Sequence, residues 1–265
     1  MMRSAAGVFG VGAMFWLGMS MPALALSKAD LLQIEAAPAP NAVLPPLLSL
    51  QGKNGETRPL RQWLGNTPSV WILADYTCQS LCGPVISIVS KALEDSGLRP
   101  GSDFRLIVAG LDPKDTAADA ATMKAAQVGN KGSLAEHAFF LRGSPQAISQ
   151  LTAAFGFRSI YDREHDQFAH PAAAFVVARD GRIARVLSGL ALDPANLRLA
   201  VVDAGEGRIG TWTDHVRLLC YGFDPTKGIY TAAIGRILSG TAALTVAALG
   251  LFILMLFRRA PPQRG

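Results

Sequence analysis

Two cysteines four residues apart stand in the segment Asp75-Tyr76-Thr77-Cys78-Gln79-Ser80-Leu81-Cys82-Gly83-Pro84. The segment leaves an apolar run patterned as a buried strand and enters a run patterned as a helix, with Pro84 in its first turn. The positive end of a helix dipole favours thiolates over thiols. Thiolates bind soft metals and attack disulfides, so metal holding and dithiol exchange are both open to Cys78 and Cys82, beside a structural disulfide. A partner has to come from the four histidines. His137 opens an apolar run and His215 precedes the last one, and both read as structural or solvated. His165 lies in the charged run 162–166, which reads as an exposed loop. His170, beside Pro171 at the entrance of the apolar run Ala172 to Ala178, is the candidate ligand. Cys78, Cys82 and His170 together offer two sulfurs and one nitrogen, a donor set suited to Cu(I) and able to hold Cu(II). Zinc usually asks for a fourth ligand, and no second Cys or His motif provides one.

The elements that must position these groups alternate. A Pro/Ala-rich stretch containing Pro38, Pro40, Pro45 and Pro46 reads as a linker, and Lys53-Asn54-Gly55 between Leu47–Leu50 and Thr57–Leu60 predicts a hairpin. Strands are expected at 69–76, 104–110, 137–141, 172–178 and 182–188. Helices are expected at 84–96, 116–128, 145–155 and 194–202. Strands and helices in alternation, closed by a hairpin around Asp180-Gly181, imply a three-layer α/β sandwich. In such folds the loop from a strand into a helix is a common place for a site, and the two cysteines lie in one.

Composition limits the function classes. The chain has 265 residues, half of them apolar and 17% charged, with a mean hydropathy of +0.26, too apolar overall for a plain soluble enzyme. Of 25 basic residues, Arg3, Arg258, Arg259 and Arg264 lie at the two ends, leaving 21 against 20 acidic ones. The middle of the chain is therefore nearly neutral, which argues against nucleic acid as a partner. Three cysteines are too few for a scaffold held together by disulfides. The third, Cys220, lies in a stretch rich in Trp and Tyr and reads as a partly buried thiol near a membrane surface.

The two ends carry membrane signals. Arg3, an apolar run to Met21 and an Ala23-x-Ala25 spacing form a secretory signal with cleavage expected after Ala25. Ile237 to Phe257 is a run of 21 residues without charge, long enough to span a bilayer, and Arg258-Arg259 after it favours the cytoplasmic side. The expected organisation is a signal peptide at 1–25, a linker at 26–43, a globular domain at 44–204, a juxtamembrane segment at 205–236, a transmembrane helix at 237–257 and a cytoplasmic tail at 258–265. The globular domain would then face the periplasm of a bacterial-type cytoplasmic membrane.

From about Leu44 to Val202 the chain resembles the Sco/SenC copper proteins. The resemblance rests on Tyr76-Thr77-Cys78-x3-Cys82, on Asp112-Pro113-Lys114-Asp115-Thr116 after the next strand, and on a histidine, His170, before an apolar strand and a Gly-containing hairpin. It implies a thioredoxin-like fold and a copper site on Cys78, Cys82 and His170, with Asp112 and Asp115 architectural. It also implies a role in assembling cytochrome c oxidase, with the oxidase subunit that bears copper, or another membrane-held acceptor, as partner. The chain departs from the family pattern in Gln79 and Gly83, where proline usually follows each cysteine. It departs again in Ala169, where an acidic residue usually precedes the histidine, leaving Asp166 as the nearest acidic substitute. These features predict a metallochaperone rather than an enzyme. The alternative is a thiol-disulfide oxidoreductase that reduces the cysteines of a copper-receiving protein, and His170 separates the two, because dithiol exchange does not need it.

Overall fold

The computed structural model describes residues 32–190, 192–206, 211, 213, 214, 218, 221–224, 229–232 and 234–259. The expected signal peptide, His215 and Cys220 lie outside the described residues.

A five-stranded sheet organises the chain. Its strands are β4 (Ser69–Ala74), β5 (Arg105–Gly110), β6 (Ala138–Leu141), β10 (Ala173–Val177) and β11 (Ile183–Ser188), in the order β11-β10-β4-β5-β6. β4, β5 and β6 run parallel, while β10 is antiparallel to β4 and β11 antiparallel to β10. Parallel neighbours need crossover helices. Here α2 (Cys82–Asp95) links β4 to β5, and α3 (Ala117–Gln127) with the short α4 (Ser133–Glu136) links β5 to β6.

Alternation along β4 divides the core into two layers. Val70, Ile72 and Ala74 point to one face, where they pack with Ile86, Val89 and Leu93 of α2, Met123 of α3 and Leu197 and Val201 of α6 (Pro194–Ala204). Trp71 and Leu73 point to the other, against α1 (Leu60–Leu64), Leu151 and Phe155 around α5 (Pro145–Ala154), and Phe175. A strand whose six residues are all buried reads as a continuous apolar run because both faces are covered. The three-layer α/β sandwich expected from the sequence is the fold observed.

Helix starts follow side-chain capping. Thr116 and Asp119 form a reciprocal capping box on α3, while Ser144 and Asp193 cap α5 and α6 with proline following directly. α2 has no capping side chain, and Leu81 precedes it. Its first-turn N–H groups are therefore left for the sulfurs of the loop.

Two regions differ from expectation. The Pro/Ala-rich stretch lies against the domain: β1 (Glu35–Ala36) pairs with β7 (Phe157–Arg158), and Ala37 N–H donates to Gly156 O at 3.0 Å. Gly156 has φ of +57°, and a Cβ there would stand 2.0 Å from Ala37 O, so no other residue fits this crossing. The charged run expected as a loop is the turn of a hairpin, β8 (Ile160–Asp162) with β9 (Gln167–Ala169). Its strands are three residues each, too short for the alternation that marks a strand in sequence. The hairpin predicted around Asn54-Gly55 forms as β2 (Ser49–Gln51) and β3 (Thr57–Pro59).

After the domain, β12 (Tyr221–Asp224) pairs with β13 (Ile229–Ala232), and α7 runs from Ile234 to Arg259. Side chains are described for 242–252, 254 and 255 of α7, and among the described residues no helix is long and apolar enough to cross a membrane.

Candidate functional site

The cysteine loop is set by the end of β4 and the start of α2. Cys82 is the first residue of α2 and is wholly buried, whereas Cys78, four residues earlier, is partly exposed. Both are free thiols. The N–H of Ser80 donates to Cys78 Sγ at 3.4 Å, and the N–H of Cys78 donates to Asp75 O at 3.3 Å, which folds the loop into a tight turn.

This setting separates the two sulfurs in acidity. Cys78 is lowered to about 5, first by the hydrogen bond it accepts from the Cys82 thiol and then by the N–H groups of Cys82, Ser80 and Leu81 at the helix start. Cys82 is raised far above the ordinary thiol range, first because its proton is held by Cys78 and then because it is buried. The pair therefore carries one thiolate, on the accessible sulfur, and one retained proton, on the buried one.

The histidine arrives from the other side. β9 brings the chain over the cysteine loop, and His170 follows it with Nε2 2.9 Å from Cys82 Sγ, across 88 residues of sequence. The other ring nitrogen, Nδ1, lies 3.0 Å from the carbonyl oxygen of Pro171. A carbonyl only accepts, so Nδ1 carries a proton and a bare Nε2 faces Cys82 Sγ, whose one proton is shared between Nε2 and the Cys78 thiolate. The ring also stacks obliquely on buried Phe157, with centroids 5.7 Å apart. Asp166, the nearest acidic residue in sequence, is engaged elsewhere: it accepts from Lys114 Nζ at 2.6 Å and from the Tyr161 hydroxyl. Backbone oxygen in place of a carboxylate supplies the orienting contact.

Polar links to the hairpin tie the two arms together. Asp75, fully buried, accepts through Oδ1 from the N–H and hydroxyl of Thr77, at 3.0 and 2.9 Å, and through Oδ2 from the N–H of Phe168 at 3.2 Å. Ser80 Oγ donates to Gln167 Oε1 at 3.3 Å. Gln167 and the Pro171 carbonyl leave no trace in residue spacing, because their partners are far away in sequence or are main chain. Asp75 falls inside the strand expected at 69–76, where spacing assigns it no role.

The remaining candidates stand apart. Asp115 accepts from the N–H of Tyr76 at 3.0 Å through Oδ2, and the Tyr76 hydroxyl donates to the carbonyls of Val108 and Leu141. Burial pushes the Asp115 carboxyl up to about 7. Asp112 accepts from the N–H of Lys114 at 2.8 Å. Asp115 holds the β5–α3 loop against the end of β4, while Asp112 turns the loop on itself. His165 pairs with Asp162 on the exposed turn, and the His137 carbonyl accepts from Leu106 N–H in the core.

Among the described residues, no three His, Cys, Asp or Glu side chains stand ready-spaced around a metal ion. The reason is local. Sulfur and nitrogen sharing one ion at about 2.3 and 2.0 Å lie roughly 3.5–3.8 Å apart, whereas Cys82 Sγ and His170 Nε2 are 2.9 Å apart. As it stands the arrangement holds a proton. Its donor set, one thiolate, one thiol and one imidazole with a free lone pair, fits a soft ion that replaces that proton.

Comparison with known proteins places this geometry. The solved structures it resembles include a protein of Aquifex aeolicus VF5 with a proposed role in electron transfer (21% identity, TM-score 0.56, covering 64% of this chain and 96% of that one). BsSco, a Sco-family cytochrome c oxidase assembly protein in which a disulfide switch was identified, matches with 19% identity and TM-score 0.51, over 65% of this chain and 99% of that one. Arabidopsis thaliana ScoI, solved with copper bound, matches with 14% identity and TM-score 0.50, over 63% and 98%. At these identities the likeness speaks for the fold, which is thioredoxin-like. No curated protein matches the chain in sequence. The model of the SCO1/SenC family matches residues 48–202, more than half of the chain and the whole of the site, so the chain belongs to the SCO1/SenC family.

Proposed function

We propose that this chain is a copper chaperone in which Cys78, Cys82 and His170 hold one copper ion as cargo for a respiratory oxidase. The observation that carries this reading is the approach of a bare imidazole nitrogen to the Cys82 thiol, across 88 residues, with the Cys78 thiolate beside that thiol and the ring fixed by the Pro171 carbonyl. Copper arriving at the Cys78 thiolate would displace the Cys82 proton and take Nε2 as third donor. Three ligands leave room for a thiol or imidazole of an acceptor, so the ion passes on by ligand exchange. Solved relatives with copper bound support the choice of metal.

The membrane terms belong to the same proposal. A signal peptide ending at Ala25 and a single span at 237–257 would place the domain in the periplasm, tethered to the cytoplasmic membrane with the C-terminus inside. A tether raises the effective concentration of the donor beside a membrane-held acceptor such as the copper-bearing subunit of cytochrome c oxidase.

The test is copper stoichiometry and affinity on the reduced full-length protein and its Cys78→Ser, Cys82→Ser and His170→Ala variants. One copper per chain is expected, with affinity lowered about tenfold or more in His170→Ala and further in the cysteine variants. Binding indifferent to His170 would instead favour dithiol exchange. That second reading has its own support: a partly exposed Cys78 of lowered pKa beside a buried, protonated Cys82 is the pairing of an attacking and a resolving thiol.

A further inference from the structure

Asp75 is a buried side chain that touches both arms of the site. It directly follows β4 and has no exposed surface. A buried carboxylate is costly unless its oxygens are satisfied, and here every donor it meets is a neutral N–H or O–H, two from Thr77 and one from Phe168. Its own carbonyl accepts from the N–H of Cys78. Phe168, two residues before His170, is 93 residues away in sequence. The same residue therefore starts the cysteine turn and fastens the strand that delivers the histidine.

We propose that Asp75 is the positioning residue of the site, setting the distance between the His170 arm and the two cysteines through its bond to the Phe168 amide. Other links across the gap are weaker. Ser80 to Gln167 is a neutral, exposed hydrogen bond, and Lys114 to Asp166 is an exposed ion pair. Phe157 backs the His170 ring without fixing its height over the loop. The bond from the Phe168 amide is part-buried and charge-assisted, and its acceptor Asp75 has no exposed surface, which makes it the strongest of the set. The role deepens the copper reading and rests on it for its effect on affinity, but its geometric part holds in the metal-free protein.

The experiment uses full-length reduced protein with Asp75→Asn, Asp75→Ser and Thr77→Val. Asparagine keeps the shape but has a single acceptor oxygen, so its amide nitrogen faces a donor at Thr77 or at Phe168. Serine can still accept from Thr77 but is too short for Phe168. Thr77→Val removes one bond to Asp75 and leaves the Phe168 link intact. Three quantities are read: exchange of the Phe168 amide proton, the ring nitrogen shifts of His170 without metal, and Cu(I) affinity by chelator competition. Both Asp75 variants are expected to fold, to lose Phe168 amide protection at least tenfold, to move the His170 ring shifts, and to bind Cu(I) about tenfold more weakly. Thr77→Val is expected to change the His170 shifts little and the affinity less than twofold. Unfolding of both Asp75 variants would overturn the proposal by making Asp75 a requirement of the fold. Folded variants with unchanged Phe168 exchange and His170 shifts would also overturn it. A parent protein that binds no copper would defeat the copper reading alone, since movement of the His170 ring in the metal-free variants still establishes the positioning role.

Discussion

The two arms of the site are built from opposite materials. The cysteine arm is a core structure: Cys82 opens a helix whose Val85, Ile86, Val89 and Leu93 are buried against the sheet. The histidine arm is a short hairpin on the outside, held down by Asp75, by the Ser80–Gln167 bond and by Lys114 on its turn. A rigid arm and a fastened arm bring Cys82 and His170 into contact. For a protein that must grip an ion and then release it, the difference teaches where movement is cheap. Opening the contact by less than 1 Å to admit a metal is easier for the hairpin than for a helix packed in the core.

The contrast is broken most strongly in the core. Ile86→Ala removes a fully buried side chain from α2 and is expected to cost about 2–5 kcal/mol of unfolding free energy in urea titration. Gln167→Ala, on the hairpin, is expected to leave that free energy nearly unchanged. A cost below about 1 kcal/mol for Ile86→Ala would show that the cysteine arm is not borne by the core.

Next in size is the division of acidity between the cysteines. In the parent, alkylation of Cys78 is expected to reach half its plateau near pH 5. Cys82→Ala removes the first cause of that lowering, so the midpoint should rise by two units or more toward the ordinary value of about 8.5. The sign for stability follows. Because the folded protein holds Cys78 as thiolate at a pH where the unfolded chain is protonated, the reduced protein gains stability as pH rises from about 5 to about 8.5 and loses it on acidification. Cys78→Ser should remove that slope. A midpoint unmoved in Cys82→Ala would assign the lowering to the helix start rather than to the neighbouring thiol.

Legibility in the sequence divides along the same line. Cys78, Cys82, the strand before them and the helix after them lie within one local stretch, and local pattern fixes their arrangement. The sheet and its helices were likewise readable, because buried parallel strands are continuous apolar runs and capping residues mark helix starts, as at Thr116, Ser144 and Asp193. The histidine arm was readable in one residue only. The hairpin β8–β9 is too short to show a strand pattern, and its ties run from Asp75 to Phe168 and from Ser80 to Gln167, 93 and 87 residues apart. A main-chain carbonyl orients His170, and no side-chain pattern announces a carbonyl. Asp166, the nearest acidic residue in sequence, is instead paired with Lys114, 52 residues earlier.

The smallest expected effect sharpens the account of how the hairpin is fastened. Lys114 donates to Asp166 and to Tyr161 on the hairpin turn, yet its side chain is 63% exposed and that of Asp166 70%. Exposed pairs spend side-chain entropy to hold their geometry and are screened by salt. Lys114→Ala is therefore expected to leave the urea midpoint within error and copper affinity within about twofold of the parent, at low and at high salt alike. The bond from buried Asp75 to Phe168 and the stacking of His170 on Phe157 remain in that variant, and these set where the imidazole stands. If Lys114→Ala instead weakened copper binding as much as Asp75→Asn, and more so at low salt, the hairpin would be held from its exposed turn. The histidine arm would then respond to ionic strength, which a buried tether does not allow.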